Sequence, residues 1–228
     1  MRLTSVVLPY WNRPEALAKS LKLMAKHYGG EIEVIVADDG SYIPPVLKGP
    51  YPFYVRHYAL EAKTVAKNPC VPINRGVAIS TGDVVVISNP EVLHMARVLN
   101  EMRAELESIG PKGYVLAAAW CPEENAWHCH SSIAGDRPDG IRQPPGSGFH
   151  FCAMLHRELW NEAGGFDEDY RDGAGYDDPD WVNRLARVGA RFKIRDDLVV
   201  IHPRSGAKSN WPPGAFERNR ELFLRKWA

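Results

Sequence analysis

Two neighbouring segments carry the residues best suited to chemistry. Gly164-Gly165-Phe166-Asp167-Glu168 is a glycine turn that runs into carboxylates, and Asp169, Asp172, Asp177, Asp178 and Asp180 follow it. Asp178-Pro179 reads as an N-cap followed by a proline in the first helical position. Trp181, Leu185 and Val188 then fall at i, i+4 and i+7, which gives the helix one apolar face turned inward. A carboxylate on so firm a mount can take a proton from a hydroxyl. Acids in a first helical turn also complement the helix dipole, so the same residues serve equally as caps, and the two uses are compatible.

The elements that position these residues can be read from the hydrophobic pattern. Residues 4–8 form a first strand that ends at Pro9-Tyr10-Trp11-Asn12-Arg13-Pro14, and a helix follows with Leu17, Leu21 and Met24 on one face until Gly29-Gly30 stops it. Residues 32–37 are a nearly continuous β-branched run, the pattern of a strand covered on both faces, and end at Asp38-Asp39-Gly40-Ser41. A proline-rich passage, 44–52, leads to a strand at 53–58. A short helix is expected at 74–80, then a strand at 84–88 that ends at Asn89-Pro90-Glu91. A longer helix is expected from about 92 to 109 with Met95, Leu99, Met102 and Leu106 inward.

Residues 114–120 read as a strand that enters an irregular stretch to about 148, a length usually tied to function. Residues 149–155 return as a strand, 192–201 give one or two more, and 215–227 form a terminal amphipathic helix contacting through Phe216, Leu222 and Phe223. Strand–helix alternation predicts an α/β domain with a mostly parallel central sheet flanked by helices. Ligands bind such sheets beyond the carboxyl ends of the strands, so 9–13, 38–41 and 89–91 are expected to converge. No G-x-G-x-x-G and no G-x-x-x-x-G-K-[ST] is present, which argues against a dinucleotide fold and a P-loop.

Composition narrows the partners. Lys plus Arg and Asp plus Glu both number 28, so no global field draws the chain to nucleic acid or to an anionic membrane. The apolar runs are far shorter than the roughly 20 residues of a membrane span. The amino terminus lacks a signal-peptide pattern, and the default expectation is a cytoplasmic protein without a transmembrane segment. Cys70, Cys121, Cys129 and Cys152 form no CxxC pair and are expected as reduced thiols. Cys121, His128, Cys129 and His130 cluster in sequence, but their spacing fits no standard zinc site and reads as an ordinary loop.

Taken in order, these motifs resemble the GT-A glycosyltransferases, and specifically the family-2 group that uses nucleotide sugars. The resemblance covers nearly the whole chain. It rests on Leu8-Pro9-Tyr10-Trp11-Asn12-Arg13, on Asp38-Asp39-Gly40-Ser41, and on Asn74-Arg75-Gly76 through Gly82-Asp83. It rests further on Gly164-Gly165-Phe166-Asp167-Glu168 and on the acidic pair Asp177-Asp178 before an amphipathic helix. It implies one GT-A domain over 1–228, with a nucleotide-binding half at 1–110 and an acceptor and catalytic half at 111–228 that includes the helix 215–227.

The departure lies at the family's Asp-x-Asp metal motif, which aligns with Asn89-Pro90-Glu91 and keeps one carboxylate, a Glu. One carboxylate, diphosphate oxygens and water can still complete the shell of Mg²⁺ or Mn²⁺. The resemblance implies that Glu91 and His202 hold that ion. It also implies that Pro9, Tyr10, Trp11, Arg13, Asp38, Asp39, Arg75 and Asn89 line the nucleotide site. Asp178 is then the general base and Asp177 its orienting neighbour, with inversion at the transferred sugar. The implied donor is a UDP-, dTDP- or GDP-linked sugar, and the acceptor is left open among glycan, protein and lipid.

Trp120, Trp127, Trp211 and the 121–148 stretch are candidates for an acceptor platform, whereas Trp160, Trp181 and Trp227 read as packing anchors. Lys63 and Lys67 read as a solvated basic surface. Two rivals stand beside this reading. A nucleotidyltransferase would need a glycine-rich basic loop after the first strand, where this chain has Pro-Tyr-Trp-Asn-Arg-Pro. A non-catalytic nucleotide-sugar-binding module would not need Glu91, Asp178 and His202 together.

Overall fold

One sheet organises the chain. The computed structural model describes residues 3–63, 68–133, 150–204 and 211–227. Its strands are β1 (Thr4–Tyr10), β2 (Ile32–Asp38), β3 (Tyr54–Ala59), β4 (Val84–Ser88), β5 (Leu93–His94), β6 (Gly113–Cys121), β7 (Ala126–Cys129), β8 (Cys152–His156) and β9 (Arg191–Ile201). Their spatial order is β3-β2-β1-β4-β8-β6-β9-β5, with β7 paired on β6. β3, β2, β1 and β4 run parallel, and β6 and β9 are also parallel. β8 runs antiparallel between β4 and β6 and joins the two halves into a single α/β domain.

The helices are α1 (Pro14–His27), α2 (Cys70–Ile79), α3 (Val98–Ile109), α4 (Arg157–Ala163), α5 (Asp177–Arg187) and α6 (Ala215–Trp227). α1 begins with Pro14 in its first turn and buries Leu17, Leu21 and Met24, as its pattern predicts. β2 is buried at every position, the consequence of cover on both faces. α2 lies close against β1 and β2 because Gly76 has no side chain. A Cβ there would stand 2.5 Å from Val7 Cγ1. No helix among the described residues is long and apolar enough to cross a membrane.

The structure departs from the hydrophobic pattern in several places. The helix expected from about 92 starts only at Val98, because Leu93 and His94 pair with Ile201 and Val200 of β9. Met95 is therefore 57% exposed rather than inward. The Tyr28 hydroxyl lies 2.9 Å from His94 Nδ1 and accepts the Leu99 amide at 3.4 Å, which anchors the late helix start. α2 starts at Cys70, four residues before the expected 74, and β8 at Cys152 rather than 149.

The first part of the irregular stretch is a hairpin, in which β7 returns along β6. Residues 134–149, the remainder of the platform stretch, and Lys67 lie outside the described residues. Asp178 is not the N-cap of α5. Tyr176 holds that position with φ 64°, and both Asp177 and Asp178 are already helical. β9 is a single strand with a register break, in which the consecutive β6 residues Ala117 and Ala118 pair with Arg195 and Val199.

Candidate active site

The three strand ends converge as expected. The parallel register sets Tyr10 beside Asp38, and the Asp39 amide donates to the Tyr10 carbonyl at 2.9 Å. β4 lies on the other side of β1 in parallel register, so Asn89-Pro90-Glu91 leaves the sheet at the same edge. A cleft of about 180 Å³ opens beyond these ends, and Pro9, Asn68, Asn89, His150, Asp178 and Trp211 are among its walls.

The acidic helix start faces this cleft because its core-side ring is firmly seated. Trp181 is fully buried, stacks on Phe166 at 5.1 Å and donates its indole N–H to the Tyr114 hydroxyl at 3.3 Å. One turn earlier, Asp177 and Asp178 take different environments. Asp177 is buried and accepts the Asn68 amide at 2.7 Å. Burial first, then the charge of Asp178, pushes the Asp177 carboxyl up to about 7. The Asp178 side chain remains 34% exposed on the cleft, with one oxygen 3.9 Å from His150 Nε2.

His150 was not singled out by sequence. It is buried, its Nδ1 lies 2.5 Å from the Tyr114 hydroxyl, and Nε2 has no hydrogen-bond partner among the described residues. Burial lowers its pKa to about 4, so the ring is neutral near pH 7. Nothing in the sequence marks it, since a lone histidine entering an apolar strand is ordinary. Asn68 was missed as well. The Asn68-Pro69 pair is a turn signal, and its side-chain oxygen accepts the Cys70 amide at 3.1 Å at the start of α2.

Glu91 forms the second polar focus. It is 4% exposed, pairs through Oε1 with Arg13, and lies 3.4 Å from His202 Nε2. Burial would raise its pKa, but His202 and Arg13 outweigh that and hold it below the usual carboxylate range. Glu91 Oε2 and His202 Nε2 are both buried without a hydrogen-bond partner among the described residues. An orphaned carboxylate oxygen beside an orphaned imidazole nitrogen fits a divalent cation, and this donor set suits Mn²⁺ or Mg²⁺ with phosphate oxygens completing the shell.

The remaining expected residues sort by contact. Tyr10 is buried and its hydroxyl donates to the Ile43 carbonyl at 2.8 Å. Trp11 meets Tyr42 edge-on at 6.2 Å. Asp38 accepts the Ser41 amide at 2.8 Å and lies 3.3 Å from His57 Nε2. Asp39 pairs with Lys63, so this lysine is engaged at the turn rather than solvated. Arg75 is exposed on α2 and is not among the cleft's walls. Trp120 and Trp127 contact each other at 4.9 Å across the hairpin, Trp160 and Trp181 are core, and Trp227 donates to buried Asp180 at 2.8 Å.

A parallel half-sheet with a polar cleft at its carboxyl edge, and an acidic helix start across from it, define a glycosyltransferase of GT-A fold. The chain belongs to glycosyl transferase family 2, which it matches over residues 5–162. No curated protein sequence matches it. Among solved structures it is similar to the mannosyltransferase PcManGT from Pyrobaculum calidifontis, in complex with GDP-Man and Mn²⁺. That likeness has 18% identity and a TM-score of 0.59, over 100% of this chain and 70% of that one. It is also similar to TarS from S. aureus, at 16% identity and a TM-score of 0.66, over 98% of this chain. The chain spans 39% of the length of TarS.

Proposed function

We propose that this glycosyltransferase inverts the configuration of the sugar it moves from a nucleoside diphosphate to an acceptor hydroxyl, with Asp178 as general base. The observation that carries the reading is the split between two adjacent carboxylates. Asp178 is open to the cleft, while Asp177 beside it is buried, held by Asn68 and raised to about 7. Environments that separate two acids in this way assign them different work. Asp178 accepts the acceptor's proton as its oxygen attacks the anomeric carbon. Asp177, largely neutral below pH 7, lowers the repulsion that a second buried charge would impose and fixes the helix start. His150 Nε2, neutral and 3.9 Å from Asp178, orients the Asp178 carboxylate or the incoming hydroxyl.

The nucleotide lies over β1 and β2, with Asp38 or Asp39 accepting from base or ribose and Pro9, Tyr10, Trp11, Arg13 and Asn89 around it. Arg75 is retained as a phosphate contact on the strength of its motif alone. Glu91, with His202 beside it, would hold Mn²⁺ or Mg²⁺, which when bound neutralises the departing diphosphate. Arg13 contributes a fixed positive charge to the same focus.

GDP-mannose and Mn²⁺, named with PcManGT, join UDP- and dTDP-linked sugars in the first donor panel. The test is transfer or hydrolysis of each donor with and without Mn²⁺, read as nucleoside diphosphate released. Release from one donor, dependent on the ion and lost in Glu91→Ala, supports the reading. Binding of a donor without turnover under any ion would favour a nucleotide-sugar-binding module instead.

A further inference from the structure

Beyond the donor site, a separate group of metal-ligating side chains lies at the β6–β7 hairpin. Cys121 ends β6, Glu124 lies in the turn, and His128 is on β7. One ligand atom from each falls within 4.8 Å of the other two. A bulge in the hairpin register accompanies the convergence. Cys121 faces Ala126 and Trp120 faces Trp127, but the next pair is Ala119 with Cys129, so His128 is the extra residue of the bulge and is freed from the regular alternation. Glu124 bends back from the turn and its Oε2 lies 3.0 Å from His128 Nε2. Glu124 also lies 3.7 Å from Arg204, and the Cys121 thiol is 3.5 Å from Glu123 Oε2.

We propose that Cys121, Glu124 and His128 form a zinc site distinct from the Glu91 focus. A thiolate and a carboxylate together balance the two positive charges of the ion, and sulfur, nitrogen and oxygen donors together suit Zn²⁺ rather than Mg²⁺ or Mn²⁺. Three protein ligands leave a fourth tetrahedral position for water or for an incoming ligand. On binding, the Cys121 proton goes to solvent.

The second observation is the support behind His128. Its Nδ1 lies 2.7 Å from His202 Nδ1, so the ring is already held by the far nitrogen with Nε2 turned to Glu124, the arrangement that fixes ligating histidines. Cys121 is fully buried and the turn residue Asn125 takes φ 48°, so the ligands sit on a fixed hairpin rather than a free loop.

The test is a Co²⁺ titration of the whole chain in the presence of excess Mg²⁺, followed by absorption. The expected result is one equivalent bound with a thiolate-to-cobalt charge-transfer band and tetrahedral d–d bands, bleached by Zn²⁺. The Glu91 and His202 donor set has no sulfur, so the thiolate band reports Cys121. Cys121→Ser is expected to abolish it. Glu124→Gln, at an exposed position where folding is not at stake, should weaken Co²⁺ at least about tenfold, since even supporting residues around a metal are worth that much. Absence of the band in the wild type, its survival in Cys121→Ser, or unchanged affinity in Glu124→Gln would each overturn the assignment. None of these readouts depends on glycosyl transfer.

Discussion

The Asn68 side-chain amide donates to Asp177 Oδ1 at 2.7 Å and ties the start of α2 to the start of α5 across 109 positions of chain. This bond helps hold the acidic helix start against α2, beside the bonds of Asn74 to Phe166 and Glu168. Asn68→Ala removes the donor and leaves a buried carboxyl oxygen unpaired, at a cost of about 1–3 kcal/mol. Because the Asn68 bond favours the charged form of Asp177, its loss is expected to move the Asp177 titration, about 7 in the wild type, upward. Carboxyl resonances followed against pH check this, and an unmoved titration would contradict it.

The pH dependence of stability has two opposing sources at the site. Asp177 is raised from 3.8 to about 7, so the folded state holds its proton more tightly. Its contribution is complete below about 3.8 and is lost as pH rises through about 7. His150 is lowered from 6.5 to about 4, so its contribution is complete above 6.5 and is lost as pH falls through about 4. His150→Gln removes the second source alone. The melting temperature of the variant relative to wild type is expected to rise as pH is lowered from 6.5 to 4. A difference that stays constant over that range would show that His150 does not titrate with folding.

Arg13 and Glu91 pair between the β1 and β4 strand ends. Arg13→Ala leaves the buried Glu91 with His202 as its remaining side-chain partner, and a destabilisation of about 1–3 kcal/mol is expected. Arg13→Ala/Glu91→Gln should recover part of that loss, because the stranded charge is gone. Denaturant melts of the single and double variants measure it, and additive losses would exclude the pairing.

The Asp38-Asp39-Gly40-Ser41 turn depends on glycine. Gly40 has φ 82°, and a Cβ there would fall 1.9 Å from the Glu61 carbonyl oxygen. Gly40→Ala must therefore move the 61–63 backbone, which also carries Lys63 to Asp39. A loss of at least about 1–3 kcal/mol and weakened nucleotide binding are expected together. Calorimetry and nucleotide titration of the variant read both effects.

Much of this arrangement was legible in the sequence, for identifiable reasons. A nearly continuous apolar run such as residues 32–37, broken only by Glu33, reads as a doubly covered strand, and the period of Leu17, Leu21 and Met24 reads as a helix face. The polar strand ends converge because parallel strands bring like ends to one edge. The segment 92–97 misled because its apolar residues satisfy a helical period. Pairing of Leu93 and His94 with β9 overrode that local preference, an event set by residues more than a hundred positions away.

Asp178 as N-cap was misplaced because Tyr176 adopts a left-handed conformation that an aromatic residue seldom takes, and buried packing against Phe223 and Phe216 holds it there. His150 and Asn68 stayed hidden because their significance lies in what they touch, Tyr114, Asp178 and Asp177, all distant in sequence. The cysteine and histidine cluster was seen, but its geometry was not. His130 turns to Ser132, Cys129 is not brought into the group, and Glu124 joins instead through the turn.

The central claim is that Asp178, rather than Asp177, takes the acceptor's proton. The most direct measurement is single-turnover sugar transfer by Asp178→Asn and Asp177→Asn, with donor binding measured separately by titration. The account predicts that Asp178→Asn binds the donor as the wild type does but loses transfer by about 10²–10⁴-fold, the usual worth of a general base. Asp177→Asn, which keeps a neutral polar group beside Asn68, should lose much less. Transfer that survives in Asp178→Asn while Asp177→Asn is inactive would contradict the account and move the base to the buried carboxylate.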